Sequence, residues 1–307
     1  MTFDKIVLVT RKTRLAQLVE RFNTRAQARF YIEHAGGDFG DYVREDDAYT
    51  RSLEVLLRSL DLGLRVQQIE RAIVPTFLFA PSDLVVAVGQ DGLVANVAKY
   101  TGSQPIVAVN PDPERFDGVL LPFKTPQAAA AVARTLDGTA RIRAITLAEA
   151  RLADGQRLLA FNDLYIGARS HESARYTIST GGAPEPQSSS GILVSTGAGS
   201  TGWLSSVFNM AAAVSAFTGG STGTPLHLGW EDPRLVFIVR EPFASRATRT
   251  TIAAGVIAPA TELVIESRMP SGGVIFSDGV EADALSFESG AIARIGAARQ
   301  RTQLVVA

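Results

Sequence analysis

The stretch VAVGQDGLVANVAKY, residues 86–100, decides how the first half of this chain folds. A β-branched and apolar run reaches Val88, gives way to Gly89-Gln90-Asp91-Gly92, and a helical pattern follows. Strand, tight turn and helix make the opening of a βα unit. That order sets Asp91 at the carboxyl end of a parallel strand, where open α/β sheets build their ligand crevices. The flanking glycines let backbone N–H groups and the helix N-terminus come close to an anion. An aspartate among phosphates is repelled unless Mg2+ is bound or it has a task, such as accepting a hydroxyl proton. The same letters also fit an ordinary turn, since x-D-G is common in turns.

Two further runs share the pattern, KIVLVT (5–10) and PIVAVN (105–110), beside DLVVAVG (83–89). Each is apolar on both faces, as strands covered on both sides are. Helical spacing recurs over Thr50–Leu60 and over Pro126–Leu136, with Thr125 as N-cap and Pro126 at the first helical position. Residues 11–49 read as two amphipathic helices around a polar turn at Gly36-Gly37-Asp38. Strands alternating with helices predict a parallel α/β sheet.

Near residues 138–145 the period changes to two. RIRAITLAEARL and RLLAFNDLYIGA flank Asp154-Gly155, a hairpin turn signal. ARYTIST, GILVST, RLVFIVRE, TRTTIAAGVI, TELVIES and GVIFSD follow at strand-like spacing, QSSSG reads as a small loop, and one helix is expected over Thr201–Phe217. The expected organisation is an N-terminal α/β parallel-sheet domain over 1–140 and a β-rich domain over 141–290.

The 307 residues, 46% of them hydrophobic, suffice for two cores. Thirty basic against 31 acidic residues give no bulk attraction to nucleic acid or to an anionic membrane. Cysteine is absent, which excludes disulfides and thiolate chemistry. His34, His171 and His227 stand far apart without metal-ligand spacing, so no structural metal is expected. The first apolar run is too short for a secretory core, and no run approaches the ~20 apolar residues of a membrane helix. A cytoplasmic protein is the expectation. None of the four lysines follows a glycine, so the G-x-x-x-x-G-K-[ST] phosphate loop is absent.

Gly197-Ala198-Gly199-Ser200-Thr201-Gly202 fits G-x-G-x-x-G, the dinucleotide fingerprint. Its context does not. It lies inside the β-rich half, and ~20 residues beyond it there is no carboxylate to hold a ribose. A plain glycine turn before a helix fits locally. Asn162-Asp163 interrupts an apolar strand, at a cost unless both residues bond to something. They serve a bulge or face a ligand, and the sequence leaves both open.

An aspartate in a G-x-D-G turn, an N-[ED] pair and a T-x-x-G-S-T loop opening a helix occur here in that order. Together with KIVLVTRKTR, VNPDPERFDGVLLP (109–122), NDLYIGARSHESARYTI, SSGILVSTGAGS and VREPFASR (239–246), they resemble the NAD kinase family. The likeness is nearer to its mitochondrial type and covers nearly the whole chain. The resemblance implies ATP-dependent phosphorylation of the adenosine ribose 2′-hydroxyl of NAD, giving NADP, with Mg2+ accompanying ATP. It implies an α/β domain, a β-sandwich-like domain with the active site between the two, a C-terminal segment (291–307) returning to the first, and a homo-oligomer, dimer or tetramer.

Carried over residue by residue, the resemblance makes Asp91 the general base. Gly89, Gln90, Gly92 and Gly199 fall at phosphate-approach positions, and Gly92 also meets the ribose. Asn162 and Asp163 match the pair that holds the ribose and nicotinamide parts of NAD. Thr196, Ser200, Thr201, Gly202, Trp203 and Ser206 match the remaining dinucleotide contacts. The chain departs from the pattern at Gln90, in place of the second glycine of G-G-D-G, and at Leu93, in place of threonine. A left-handed backbone at Gln90 would cost ~1–2 kcal/mol. Two other readings follow from these departures: a non-catalytic NAD(P)-binding protein with a degenerate ATP site, or a lipid-kinase-like enzyme acting on another hydroxyl.

Overall fold

The computed structural model describes residues 3–307, which form two compact units. The first runs to Arg143 and takes in Thr302–Ala307; the second is Ala144–Arg301.

The first unit is a layered α/β structure. Its elements are β1 (Lys5–Thr10), α1 (Arg14–Phe22), α2 (Arg25–His34), α3 (Phe39–Ser59), β2 (Arg65–Glu70), β3 (Asp83–Val88), α4 (Asp91–Ala98), β4 (Pro105–Asn110), the short β5 (Phe123–Lys124) and α5 (Thr125–Leu136). β2, β1, β3 and β4 pair side by side, all parallel, and β5 adds a short parallel pairing to β4. β3 and β4 are buried at every position, which is why their sequences carry no polar alternation. Val86, Val88, Val107 and Val109 pack with Tyr49 and Leu56 of α3, with Leu60 just past its end, and with Ala128 and Val132 of α5.

The segment 11–59 differs from its reading. It holds three helices, with α3 running unbroken through Thr50 from the Gly36–Asp38 turn. Asp38 caps α3 by accepting from the Gly40 N–H at 2.8 Å, so the polar turn lies where expected. At α5 the N-cap is Lys124, one residue earlier than Thr125. The Gln127 side chain reaches back to accept from the Lys124 N–H at 2.8 Å, which secures that start.

The second unit is all β apart from one helix and a short 3-10 turn. It comprises β6 (Arg141–Leu152), β7 (Arg157–Ala160), β8 (Asp163–Ala168), β9 (Ala174–Ser179), β10 (Glu185–Ser189), β11 (Ile192–Ser195), α6 (Trp203–Phe217), β12 (Leu235–Val239), β13 (Ala254–Ile257), β14 (Leu263–Ser267), β15 (Gly273–Ser277), β16 (Val280–Ser286) and β17 (Ile292–Val306). One antiparallel sheet has the order β13-β12-β11-β8-β15-β16. In the other, β10, β9, β14 and β17 pair in turn, with β6 on β17 and β7 on β6. Ile166, Val194, Phe237 and Ile275 of the first sheet meet Tyr176, Ile178, Ile265 and Ile295 of the second in one core, the inner faces of a sandwich. From Thr302 onward β17 belongs to the first unit, where Gln303 and Leu304 pair parallel with Pro105 and Ile106 of β4.

The expected α/β plus all-β architecture is therefore present. Two local expectations are corrected. QSSSG is not a loop, because Gln187–Ser189 ends β10, with the Gln187 side chain bonded to Glu185 and to the Ile252 carbonyl. RLLAFNDLYIGA is not one strand: β7 and β8 lie in different sheets, and Phe161-Asn162 turns the corner between them.

Candidate functional site

In the first unit the parallel strands β1, β3 and β4 end together, and their exits carry the polar groups. After β3 comes Gly89, whose N–H donates to the Val109 carbonyl at 3.2 Å. A Cβ on Gly89 would stand 2.8 Å from Leu93 Cδ2 and 3.4 Å from Arg11 Cδ. The buried Leu93 side chain thus packs directly against this glycine. Gln90 is the N-cap of α4 with φ −109° and ψ 167°, extended backbone open to any residue. The strain expected there is absent, and glutamine stands in the turn without a backbone penalty. Around Gly92 a Cβ would meet nothing within 4 Å, so this face of the turn is open.

Asp91 opens α4. Its Oδ1 accepts from the Leu120 N–H at 2.6 Å, which fastens the loop after β4 across the turn. Oδ2 carries no hydrogen bond among the described residues, so one carboxylate oxygen is available to a ligand. The same loop is shaped at its root by Asn110, whose Nδ2 donates to the Phe116 carbonyl at 2.9 Å and whose Oδ1 accepts from the Asp112 N–H at 3.1 Å.

Arg11 follows β1 and lies beside Gly89. Its guanidinium pairs with the buried Glu45 at 3.0 Å and lies over the Tyr49 ring. The Tyr49 hydroxyl accepts from the Arg11 N–H at 2.9 Å and donates to the Val88 carbonyl at 3.2 Å. Burial raises the Tyr49 hydroxyl pKa, keeping it a neutral donor. Arg11, Tyr49 and Asn110 were not singled out by the sequence reading. For Arg11 and Asn110 the signal was position alone, one residue past a parallel strand and at a strand's last residue; Tyr49, inside α3, carried none.

In the second unit, Asn162 and Asp163 sit at the corner where the chain changes sheets. The Asp278 carboxylate accepts from three successive backbone N–H groups there: Phe161 at 2.9 Å, Asn162 at 2.7 Å and Asp163 at 3.2 Å. Asp163 is buried and its Oδ1 has no hydrogen-bond partner. Burial pushes its pKa up to about 7; the nearby Ser195 hydroxyl acts the other way, and repulsion from Asp278 adds to the rise.

The threonine-glycine loop wraps this corner. Thr196 N–H donates to the Asn162 carbonyl at 2.9 Å, and the Thr196 hydroxyl donates to the Phe161 carbonyl at 2.6 Å while accepting from the Gly199 N–H at 3.2 Å. Thr196 is fully buried, so its side chain is engaged within the loop. Ser200 is also internal, accepting from the Leu228 N–H at 3.3 Å. Thr201, Gly202 and Ser206 are exposed, and Trp203 is half-buried. The Trp203 ring stacks on Tyr165, centroids 5.9 Å apart, and carries the Arg240 guanidinium at 5.3 Å.

The glycine spacing has a packing explanation. A Cβ on Gly197 would lie 1.8 Å from the Gly229 carbonyl oxygen. One on Gly199 would lie 2.4 Å from the Asn162 carbonyl oxygen, 2.5 Å from Ser195 Oγ and 2.7 Å from Asp163 Oδ1. These glycines let the loop close on the Asn162-Asp163 corner.

Asp163 yields a pH-dependent expectation. Its folded pKa lies above the ordinary carboxylate value, so between about pH 4 and about pH 7 the unfolded chain gives up the proton first. Stability falls through that window and stays lower above it. Asp163→Asn removes the charged form, so its thermal midpoint exceeds that of the parent at about pH 8, and the gap closes near pH 4.5. Calorimetric melts at both pH values check this, and an equal gap at both contradicts it.

No group of three or more His, Asp or Glu side chains that could hold a metal ion occurs among the described residues, and no described helix is long and apolar enough to cross a membrane.

No family model matches the chain. Among curated proteins it is similar to "NAD kinase 2, mitochondrial" of Rattus norvegicus, 26% identical over an alignment covering 79% of this chain and 74% of that protein. The Homo sapiens protein of the same description is 25% identical, over 79% and 72%. Among solved structures it is similar to a yeast NADH kinase complexed with NADH, with TM-score 0.59, 16% identity, and coverage of 100% of this chain and 84% of that one. It is also similar to an NAD kinase from Archaeoglobus fulgidus in complex with ATP, with TM-score 0.54, 16% identity, and coverage of 98% and 93%.

Proposed function

We propose that this chain, related in sequence and fold to the NAD kinase family, is an active NAD kinase. It transfers the γ-phosphoryl group of ATP to the adenosine ribose 2′-hydroxyl of NAD. The observation that carries the reading is the Asp91 carboxylate at the mouth of the parallel sheet, with Oδ1 fixed by Leu120 and Oδ2 available.

Asp91 Oδ2 accepts the 2′-hydroxyl proton as the ribose oxygen bonds to the γ-phosphorus, and the bond from that phosphorus to the β-bridging oxygen breaks, releasing ADP. Gly89, Gln90 and Gly92 keep the turn before α4 low and open for the phosphates, and Gly199 does the same for its loop. In the second unit, Asn162 and Asp163 hold the ribose and nicotinamide parts. Thr201, Gly202, Trp203 and Ser206 contact the dinucleotide, while Thr196 and Ser200 act by shaping the loop. Mg2+ would be held chiefly by the ATP phosphates and would neutralise their charge, as Mg2+ is commonly bound through one or two carboxylates plus substrate phosphates. Assembly as a dimer or tetramer belongs to the same reading.

Two findings support catalysis over a degenerate ATP site. Gln90 sits in unstrained backbone, and Leu93 is buried against Gly89 while the space around Gly92 stays open. The test is incubation of the pure protein with NAD, Mg2+ and either ATP or polyphosphate, with NADP read by an NADP-specific dehydrogenase. Binding of NAD in calorimetry without transfer from any donor would leave a dinucleotide-binding protein in place of a kinase.

A further inference from the structure

Asp278 lies at the tip of the β15–β16 hairpin. Ser277 pairs with Val280, and the two turn residues have positive φ, Asp278 at 53° and Gly279 at 69°. That is a two-residue turn of the type Asp-Gly favours. The turn aims the carboxylate at the corner between β7 and β8, where three consecutive N–H groups converge on it. Asp278 also returns its own N–H to the Asp163 carbonyl at 3.0 Å.

A corner without a ladder partner leaves several backbone donors unpaired, and a buried unpaired donor is costly. Here one anion satisfies three at once, with charge-assisted bonds stronger than neutral ones. The backbone of Asn162 and Asp163 is thereby held in place, and the Asp163 carboxylate lies against the threonine-glycine loop, its Oδ1 2.7 Å from where a Cβ on Gly199 would stand. The Asp163 carboxylate has the Ser195 hydroxyl beside it and keeps Oδ1 without a hydrogen-bond partner.

We propose that Asp278 is a positioning residue for dinucleotide binding, its carboxylate fixing the corner from which Asn162 and Asp163 present their side chains. This rests on the NAD-binding reading given above. The groups packed on Asp163 from neighbouring elements are Ser195 of β11, the Gly199 backbone and Asp278 of the hairpin. Asp278 is the charged one. Its negative charge raises the Asp163 pKa, so the two aspartates are coupled in titration as well as in geometry.

The test uses the full chain, Asp278→Ala and Asp278→Asn, with NAD titrated calorimetrically from about pH 5 to about pH 9. Asp278→Ala strips the acceptor from all three N–H groups and weakens NAD binding about tenfold or more. Asp278→Asn keeps one oxygen for Asn162 and Asp163 and recovers part of that loss. In the asparagine variant the pH inflection of NAD affinity moves to lower pH, because the charge that opposed ionisation of Asp163 is gone. A role in folding alone would lower the melting temperature and leave that inflection where it is. Should Asp278→Ala fail to fold, Asp278→Asn decides. Parent-like affinity and inflection in the folded asparagine variant overturn the inference while the NAD reading stands. A parent protein that binds no NAD at any pH overturns that reading, and the inference with it.

Discussion

Asp91→Asn is expected to lose NADP formation by ~10²-fold or more while keeping its fold and its affinity for NAD. The asparagine retains Oδ1, so the bond from the Leu120 N–H persists and the loop after β4 stays in place. What disappears is the second carboxylate oxygen as a proton acceptor. The loss therefore falls on kcat, with the Kd for NAD unchanged in calorimetry. Parent-like turnover in this variant would remove Asp91 from the role of base.

The second large effect is steric. Gly199→Ala is expected to destabilise the second unit by about 1–3 kcal/mol and to weaken NAD binding, because its Cβ would lie 2.4 Å from the Asn162 carbonyl oxygen, 2.5 Å from Ser195 Oγ and 2.7 Å from Asp163 Oδ1. Two of those atoms belong to Asn162 and Asp163. The loop cannot close on the corner without pushing it away. Gly92→Ala is the control, since its Cβ meets nothing and its φ is not left-handed. Its melting temperature stays at the parent value or rises slightly, as removing a helical glycine should allow. Equal stability of Gly199→Ala and the parent would contradict the packing of the loop.

The sequence made the parallel strands legible because burial on both faces writes itself as unbroken β-branched runs, as in KIVLVT, DLVVAV and PIVAVN. β2, with RVQQIE, was missed for the converse reason. It is the edge of its sheet and exposed or half-buried everywhere but at Ile69, so its polar residues hide the strand pattern. The long α3 is legible only as two pieces, a helix after the Gly36–Asp38 turn and another from Thr50, because its first half is acidic and basic, engaged in ion pairs such as Arg14 with Asp41 and Arg115 with Asp41, while leucines recur only in its second.

At the candidate site, the turn around Asp91, the Asn162-Asp163 pair and the loop at 196–202 were visible as motifs. The motif letters did not reveal which groups are engaged inside the protein. Thr196 and Ser200 look like ligand hydroxyls in sequence, yet both hydroxyls bond within the loop. Asp278 was read as the end of a strand. Its Asp-Gly turn was the available signal, but its partners lie more than a hundred residues away, at 116 positions from Asn162, and no local pattern reports them.

The measurement that bears most directly on the central claim is phosphorus NMR of the product formed from NAD and Mg2+-ATP by the pure protein. The account predicts a new phosphomonoester resonance assigned to the adenosine 2′-position, appearing with ADP in equal amount and greatly reduced with Asp91→Asn. ADP formed with phosphate released to water, or a phosphoryl group on any other hydroxyl, would contradict it.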